Sequence, residues 1–443
     1  MTFIGTYLSA VTGTEKQSVK DGLEHVLDLT NTGQEARLRT LQTLQESLAR
    51  QGYIPPAVGS SLPTIAAATS SSAVSGTSYD FTVGSSRDNL FTFVGGDWGP
   101  IGASYPNSVT WRGTCAHQGN GTDPSANPIP GGKVRFSLEA DVFEIWCQTT
   151  AAGSGDGIRV KFIENGRLVL ANASGVIAND GNGLYRYIKF TFASVTPRYF
   201  ELDFGATGAF VGIKCATIYK PSPWPQADGL RVLQHGDSLV GTVVDSGNKD
   251  TALTGYMGQV LGDLTGQADY WRSGEGGAGW LAPAVKDRSY FNDRVAIDVV
   301  DVAPDVIIEH GGGNDVALSP TQDQMTALVT TWLSTVITAK PETIIFMTGP
   351  LVGVAASASH LTVAAAKRAA AALFPQNVAY IDNFTDPWVY GSGKQTATTG
   401  DGNRDWVTGS DGAHPTIAGA AYFASRIARA VAASIPALIA ANA

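Results

Sequence analysis

The sequence has few charged residues, few cysteines and no long apolar run. Only 16% of its 443 residues are charged, and the net charge of −9 comes without a cluster of lysine and arginine. Binding to a phosphate backbone needs such a basic patch, so no nucleic acid partner is expected. We find no stretch of about 18 consecutive apolar residues, so no insertion into a membrane is expected either.

The chain contains three cysteines, Cys115, Cys147 and Cys215, at wide spacings. Such a set cannot build a disulfide framework, and no two cysteines are close enough for a zinc site. We therefore expect small buried thiols, no metal and no cofactor. The first 20 residues lack a basic segment followed by an apolar one. This predicts a soluble protein without a signal peptide, made in the cytoplasm, with release or transport on a phage-like particle left open.

An N-terminal helical segment is predicted over residues 1–54, followed by a linker over residues 55–78. The helix prediction rests on three- and four-residue spacing of apolar side chains. Its narrow stripe needs a second surface, so two interpretations stay open: packing on the same chain, or homo-oligomerisation and docking to a particle. The linker is poor in charge and rich in Ser, Ala, Gly and Pro. The stripe consists of Val19, Leu23, Val26, Leu27, Leu38, Leu41, Leu44 and Leu48.

Residues 79–219 alternate apolar and polar side chains, as in the run "KVRFSLE", which predicts half-buried antiparallel strands. The pair Asn165-Gly166 between two such runs predicts a hairpin, because a type I′ turn needs positive φ at both positions. We predict an all-β, jelly-roll-like sandwich, a candidate carbohydrate-binding module. A Pro-rich linker over residues 220–228 closes it.

Residues 229–443 alternate apolar strands with amphipathic helices, which predicts a three-layer α/β domain around a parallel sheet. Ligands bind at the carboxyl ends of the strands in such a sheet. Four polar or glycine-rich blocks lie after the strands or before the last helix: Gly236-Asp237-Ser238, "SGEGGAGW", "HGGGND" and "SDGAHPT". A further stretch, "GSGKQT" at residues 391–396, lacks the features of a phosphate-binding P-loop.

The order of these blocks resembles the SGNH (GDSL-type) hydrolase family, and the resemblance covers about residues 229–443. It implies that Ser238 is the nucleophile and that Asp411 and His414 form the D-x-x-H pair. It also implies that Gly277 and Asn314 are the glycine and asparagine of the middle blocks. Gly276 takes the place of Gly277 if the alignment moves by one residue.

These residue types suit acyl transfer. A serine hydroxyl needs a base to take its proton, and His414 is the candidate among six histidines. Asp411 can accept the other imidazole N–H and hold the ring in the required tautomer. The oxyanion hole would consist of the backbone N–H groups of Ser238 and Gly277 and the side-chain amide of Asn314.

Other residues near the blocks have less certain roles. Asp237 and Asp315 are interpreted as hydrogen-bond acceptors that shape their loops. His235 and His310 are interpreted as packing histidines, with a role in lining or tuning the site as the alternative. Aromatic side chains are candidates for stacking on sugar rings, with apolar packing as the alternative: Tyr270, Trp280 and Trp406.

The resemblance, together with the preceding sandwich, predicts a carbohydrate O-acetylesterase that acts on an acetylated polysaccharide and needs no cofactor. Lipase or thioesterase activity is the lesser enzymatic interpretation. The alternative from another class is a glycan-binding spike or fibre protein of a phage-like particle. In that case the hydrolase scaffold would recognise a capsule or cell-surface polysaccharide.

Overall fold

The computed structural model describes part of the chain. Helix α1 spans residues 33–48, and it is followed along the chain by a β-sandwich and an α/β domain. The described residues are 33–48, 62–80, 90–101, 105–113, 132–148, 158–164, 167–171, 177, 185–204, 209–224, 229–240, 243–245, 248–250, 257–265, 269–282 and 290–443.

The sandwich consists of two antiparallel sheets that share one apolar core. One sheet has the order β1-β10-β7-β12-β5-β4, with β2 also paired to β12, and the other has the order β13-β6-β11-β8-β9, with β3 paired to β6. The jelly-roll topology stays a prediction. The strands are β1 Thr64–Ile65, β2 Thr77–Asp80, β3 Thr92–Val94, β4 Asp97–Ile101, β5 Tyr105–Gly113, β6 Lys133–Glu139, β7 Val142–Gln148, β8 Ile158–Glu164, β9 Arg167–Leu170, β10 Tyr185–Thr191, β11 Pro197–Phe204, β12 Ala209–Cys215 and β13 Ser222–Pro223.

The alternation in the sequence explains this core. Phe136 on β6 and Phe200 on β11 point inward and stack with ring centroids 5.2 Å apart, while their neighbours along each strand point to the other face. Strands β8 and β9 pair so that Glu164 faces Arg167, which confirms the predicted hairpin. Its two turn residues lie outside the described part. Cys147 and Cys215 are free and buried, as expected, whereas Cys115 is not described.

The predicted linkers are wrong in part, because both contain strands of the sandwich. Strand β1 pairs with β10, and Glu144 on β7 accepts a hydrogen bond from the backbone N–H of Ala73 at 2.8 Å. In the second linker, β13 pairs with β6, and the Arg135 guanidinium lies 3.7 Å from the ring centroid of Trp224. These edge strands are too short to produce a periodic pattern, so composition alone misassigned them.

The α/β domain has a five-stranded sheet of order β17-β14-β18-β19-β20, and every pair in it is parallel. This confirms the predicted parallel sheet. Its elements are β14 Val232–Asp237, a 3₁₀ turn Ser238–Val240, β15 Val243–Asp245, β16 Asn248–Asp250, α2 Met257–Thr265, β17 Tyr270–Glu275, α3 Phe291–Val295 with a π-helical turn Ala296–Val300, β18 Val306–Glu309, a 3₁₀ turn Asp315–Leu318, α4 Gln322–Ala339, β19 Ile344–Thr348, α5 Ala358–Ala371, β20 Val378–Ile381, α6 Arg404–Val407 and α7 Ile417–Asn442.

Helices cover both faces of this sheet. Ile344 and Phe346 of β19 contact the core under α2 and α7, whereas Ile345 and Met347 contact the core under α3, α4 and α5. Because alternate residues face opposite layers and both layers are apolar, the whole strand is buried. Among the described helices, α7 alone has the length and apolar composition of a membrane span. Its apolar side packs into the domain core.

Helix α1 packs on its own α/β domain. Leu41, Leu44 and Leu48 lie in the same core cluster as α7. Arg37 donates to the Asn442 side chain at 2.6 Å and to the carbonyl of Pro341 at 3.0 Å. The first interpretation, packing on the same chain, therefore holds for residues 33–48, and homo-oligomerisation or docking to a particle stays a prediction. The rest of the predicted segment lies outside the described residues.

Helix α1 lies at the amino ends of the strands. Pro341 precedes β19, and Gln376, whose side chain accepts a hydrogen bond from Arg37 at 3.5 Å, precedes β20. The sandwich also contacts an amino end of the sheet, where the backbone N–H of Gly95 donates at 3.0 Å to Asp269, the residue before β17. The carboxyl ends of the strands, where the four blocks lie, form the opposite edge.

Candidate active site

Ser238 follows β14 directly and begins a 3₁₀ turn. Asp237 shapes this turn by accepting a hydrogen bond from the backbone N–H of Leu239 at 3.0 Å, as predicted. The turn packs closely on the neighbouring strand β17. A β-carbon at Gly274 would lie 2.4 Å from Cβ of Val240, so only glycine allows this approach. The position of the serine therefore depends on close packing behind it.

His414 connects Ser238 to Asp411. Its Nε2 lies 2.8 Å from the hydroxyl oxygen of Ser238, and its Nδ1 lies 2.6 Å from Oδ2 of Asp411. The other carboxylate oxygen accepts hydrogen bonds from the backbone N–H groups of Ala413 at 3.0 Å and His414 at 3.1 Å. Partial burial raises the pKa of Asp411, but these hydrogen bonds outweigh it and leave the pKa below its ordinary value. Asp411 is therefore ionised near neutral pH and can support an imidazolium.

Asn314 is held next to the glycine-rich turn. Its side-chain amide donates to the carbonyl of Ala278 at 3.0 Å, and an amide nitrogen has a second hydrogen that can donate to a substrate. In the same turn, Gly277 has φ of 82°, a conformation that favours glycine. A β-carbon at Gly276 would lie 4.0 Å from Cβ of Ser238. Both glycines therefore belong to the turn beside Ser238.

Asp315 ties the glycine-rich turn to the Asn314 block. Its carboxylate accepts hydrogen bonds from the backbone N–H groups of Trp280 at 3.1 Å, Leu281 at 2.7 Å and Ala282 at 2.8 Å. This is the loop-shaping role predicted for it. A β-carbon at Gly279 would lie 2.4 Å from Oδ1 of Asp315, so the turn can wrap this closely only around a glycine.

Two of the three predicted sugar-stacking residues cannot have that role. Tyr270 is 3% exposed and Trp280 is 1% exposed, and each belongs to an apolar core. The prediction was wrong for both, because their side chains point into the helix layers and not toward the loops. Trp406 is 46% exposed and stands edge-on to Tyr422 with ring centroids 5.4 Å apart. Thr416, two residues after His414, donates to the Trp406 carbonyl at 2.6 Å, so Trp406 lies next to the loop that carries His414.

His235 and His310 are buried packing residues, as the first interpretation held. His235 contacts the rings of Phe291 and Trp332, with centroids 4.8 Å and 5.1 Å away. His310 lies 2.8 Å from the side-chain nitrogen of Gln234. Burial lowers the pKa of His310 to about 3 and that of His235 well below its ordinary value, so both rings are neutral.

Sequence reasoning missed a buried ion pair beneath the Asn314 block. Lys367 on α5 lies 2.7 Å from Glu309, and its ammonium group donates to the carbonyl of Gly311 at 2.8 Å. Glu309 accepts a hydrogen bond from the backbone N–H of Gly311 at 2.6 Å, so the pair holds both polar groups of one glycine. The sequence did contain a signal for this pair. At helical spacing, Lys367 falls on the same buried face as Val363, Ala366 and Ala370.

Among the described residues, no group of three or more His, Cys, Asp or Glu side chains is arranged to hold a metal ion. The arrangement that remains is a serine, an imidazole and a carboxylate in hydrogen-bond sequence, next to a glycine turn and an amide donor. Such an arrangement can activate a hydroxyl and stabilise the oxyanion that forms when it attacks a carbonyl.

The chain is similar to known proteins in sequence motifs and in fold. Residues 235–422 match the model of the GDSL-like Lipase/Acylhydrolase family. No curated protein matches the chain. A family two carbohydrate esterase from Cellvibrio japonicus has a similar structure, with a TM-score of 0.52 and 15% identity over 80% of this chain and 96% of that chain. The salicylyl-acyltransferase SsfX3 from a tetracycline biosynthetic pathway is similar with a TM-score of 0.50 and 12% identity, over 78% and 95% of the two chains. At these identities the likeness concerns the fold, and it extends over both domains.

Proposed function

We propose, from the premise that the C-terminal domain of this chain belongs to the GDSL-like lipase/acylhydrolase family, that the protein is a serine esterase that removes O-acetyl groups from a polysaccharide. The observation that carries the proposal is the unbroken chain of hydrogen bonds from Ser238 through His414 to Asp411. A turn serine without a catalytic role has no need of an imidazole at hydrogen-bond distance, nor of a carboxylate behind that imidazole.

In the proposed reaction, Nε2 of His414 takes the proton of Ser238 while the serine oxygen attacks the acetyl carbonyl carbon. The carbonyl oxygen becomes an oxyanion near the turn at Gly277 and the amide of Asn314. Collapse breaks the bond to the sugar oxygen, which leaves as an alcohol with the proton from His414. Water, activated by the same imidazole, then attacks the acetyl-serine and releases acetate.

The amide of Asn314 supports the oxyanion step. Its hydrogen bond to Ala278 fixes the side chain before substrate arrives, so no reorganisation is needed during the reaction. Loss of one such donor typically costs about 2.7–4 kcal/mol in the barrier. We therefore expect loss of this amide to lower turnover, but by less than loss of Ser238, His414 or Asp411.

The choice of a carbohydrate substrate rests on two weaker supports. Trp406 offers a half-exposed indole next to the loop of His414, and such a surface can stack on a sugar ring. The structurally similar protein from Cellvibrio japonicus is a carbohydrate esterase. The alternative, a spike that only binds glycans, is less favoured because binding alone does not require the full set of Ser238, His414 and Asp411.

The test is acetate release from a panel of acetylated polysaccharides and from 4-nitrophenyl acetate. We expect release by the wild type, and a decrease of about 10⁶-fold for Ser238→Ala, because the nucleophile is lost. Ser434→Ala, which removes a hydroxyl on α7 that donates to the Ala430 carbonyl of the same helix at 2.8 Å, should keep full activity. Release by a folded Ser238→Ala would contradict the proposal. No release by the wild type, with polysaccharide still retained in a pull-down, would favour the glycan-binding alternative.

A further inference from the structure

Two cationic side chains hold the backbone on either side of Asp411. The ammonium group of Lys394 donates to the carbonyl of Ser410 at 2.6 Å. The guanidinium of Arg404 donates through Nη2 to the carbonyl of Gly412 at 3.2 Å. The two carbonyls that flank the catalytic carboxylate are therefore both bound by long side chains from outside the turn. Lys394 belongs to the "GSGKQT" stretch, to which the proposed reaction gives no role.

Arg404 also joins this turn to two other segments. Its Nε donates to the carbonyl of Gly353 at 3.1 Å, and its Nη1 donates to the carbonyl of Ser392 at 2.8 Å. The three hydrogen bonds of Arg404 point in three directions in the plane of its guanidinium. An ammonium group cannot donate in this planar arrangement. The approach is close, because a β-carbon at Gly353 would lie 2.3 Å from the carbonyl oxygen of Ala413.

Little apolar packing holds the turn itself. The side chain of Asp411 is 34% exposed, and the turn closes through a hydrogen bond from Gly409 N–H to the His414 carbonyl at 2.8 Å. Gly412 has φ of 80° at its tip. Both oxygens of Asp411 bond only to groups of residues 413 and 414 among the contacts described above, so the carboxylate moves with this backbone.

We propose that Lys394 and Arg404 are positioning residues that clamp the carbonyls of Ser410 and Gly412 and so keep the carboxylate of Asp411 on His414. Neither residue is catalytic, because each acts through the backbone of the turn. The kinetic consequence of this inference rests on the proposed esterase function, whereas its structural consequence does not.

Loss of the clamp should affect the chemical step and not substrate binding. A displaced carboxylate supports the imidazolium less well, so proton transfer from Ser238 becomes harder. We therefore expect kcat to fall while KM stays unchanged. The acid limb of the pH–rate profile should also move, because both the carboxylate partner of the ring and the nearby cationic side chains have changed. A residue that only stabilises the fold would change neither the KM-to-kcat relation nor this limb.

The kinetic experiment compares Lys394→Ala, Arg404→Ala and the double variant with wild type, using 4-nitrophenyl acetate. A displacement of the order of 1 Å can cost about 100-fold in rate, and we expect a decrease between about 10-fold and this limit for the double variant. Arg404→Lys should recover only part of the loss. Arg368→Ala is the matched control, since Arg368 on α5 is exposed and pairs with Asp382, which follows β20.

A double-mutant cycle tests whether the clamp acts through Asp411. In an Asp411→Asn background the carboxylate no longer exists, so removing Lys394 and Arg404 should cost less than about twofold further. An equal loss in both backgrounds would overturn the proposal, because the cations would then act independently of Asp411. Unchanged kcat in the folded double variant would also overturn it.

A measurement without turnover separates this inference from the proposed function. With ¹⁵N-labelled histidine, the proton between Nδ1 of His414 and Asp411 should give a far-downfield signal in the wild type that is absent in Asp411→Asn. We expect this signal to weaken or shift upfield in the double variant and to stay unchanged in Arg368→Ala. An unchanged signal in the double variant would refute the clamp, even if no ester is cleaved. A shifted signal without any esterase activity would support the clamp and contradict the proposed function.

Discussion

The two halves of the candidate active site are held in different ways. Ser238 and Asn314 lie on buried strand ends, where glycines, Asp315 and the Lys367–Glu309 pair fix the backbone from within. Asp411 and His414 lie on a half-exposed turn that is fixed by hydrogen bonds to backbone carbonyls. The nucleophile half, which carries Ser238 and Asn314, therefore depends on the stability of the domain. The base half, which carries Asp411 and His414, can change its position while the domain stays folded.

The largest difference in the free energy of unfolding between the two halves should appear when one lysine in each is replaced. In the nucleophile half this change is Lys367→Ala. The change leaves Glu309 buried without its cation, and breaking a buried pair typically costs about 3–5 kcal/mol in the free energy of unfolding. The matched change in the base half, Lys394→Ala, should cost less than about 1 kcal/mol, because that side chain is partly exposed. Chemical denaturation of both variants measures the difference. Equal losses would mean that the two halves are not held differently.

The two catalytic-loop aspartates should respond to pH in opposite directions. Burial raises the pKa of Asp237 to about 7, and the neighbouring carboxylates of Glu309 and Asp315 add to this, although the Leu239 N–H lowers it. Folded Asp237 therefore holds a proton that the unfolded chain, with a pKa of about 3.9, has released. Stability should fall as pH rises from about 4 to about 7, by at most about 1.4 kcal/mol per pH unit.

The pH dependence of stability that Asp411 contributes has the opposite sign to that of Asp237. Its folded pKa is lowered, so its contribution to stability is present above the unfolded pKa and is lost as pH falls through the folded one. Denaturation curves of wild type, Asp237→Asn and Asp411→Asn at several pH values separate the two. The wild type should lose stability relative to Asp237→Asn with rising pH, and parallel curves would contradict the assigned burial effect.

The smallest difference between paired variants is expected for two glycine substitutions in the nucleophile half. Gly274→Ala places a β-carbon 2.4 Å from Cβ of Val240, and overpacking of this kind costs about 1–3 kcal/mol. At Gly276 the nearest atom, Cβ of Ser238, is 4.0 Å away, so Gly276→Ala should keep the melting temperature. A Gly274→Ala variant as stable as Gly276→Ala would show that the serine turn tolerates movement.

The sequence predicted the strand ends and their reactive groups well, because parallel strands bring successive loops to one edge of the sheet. The strand-end argument located the block of Ser238, whereas the role of Ser238 and the D-x-x-H pair of Asp411 and His414 were implied by the resemblance to the SGNH (GDSL-type) hydrolase family. It could not predict the burial of Tyr270 and Trp280, since an aromatic side chain near a loop can point to either side of a strand. The surface covered by α1 also could not be predicted, because a narrow apolar stripe does not specify its partner.

Residues that act through distant carbonyls were the hardest to predict. Lys394 and Arg404 bind backbone oxygens, and a carbonyl leaves no trace in the residue type. Lys367 was more accessible to prediction, because a lysine within an apolar helical stripe indicates a buried charge that needs a partner. Its partner Glu309 still required the structure, because the two residues meet only through the packing of α5 on the sheet.

The described chain begins with helix α1, at the edge of the sheet opposite the catalytic residues. Gln34 donates to the carbonyl of Asn442, at the end of α7 and beside the amino ends of the strands. The catalytic loops occupy the other end of the same sheet. Residue 33 therefore lies behind the sheet, at the edge opposite the one that carries Ser238.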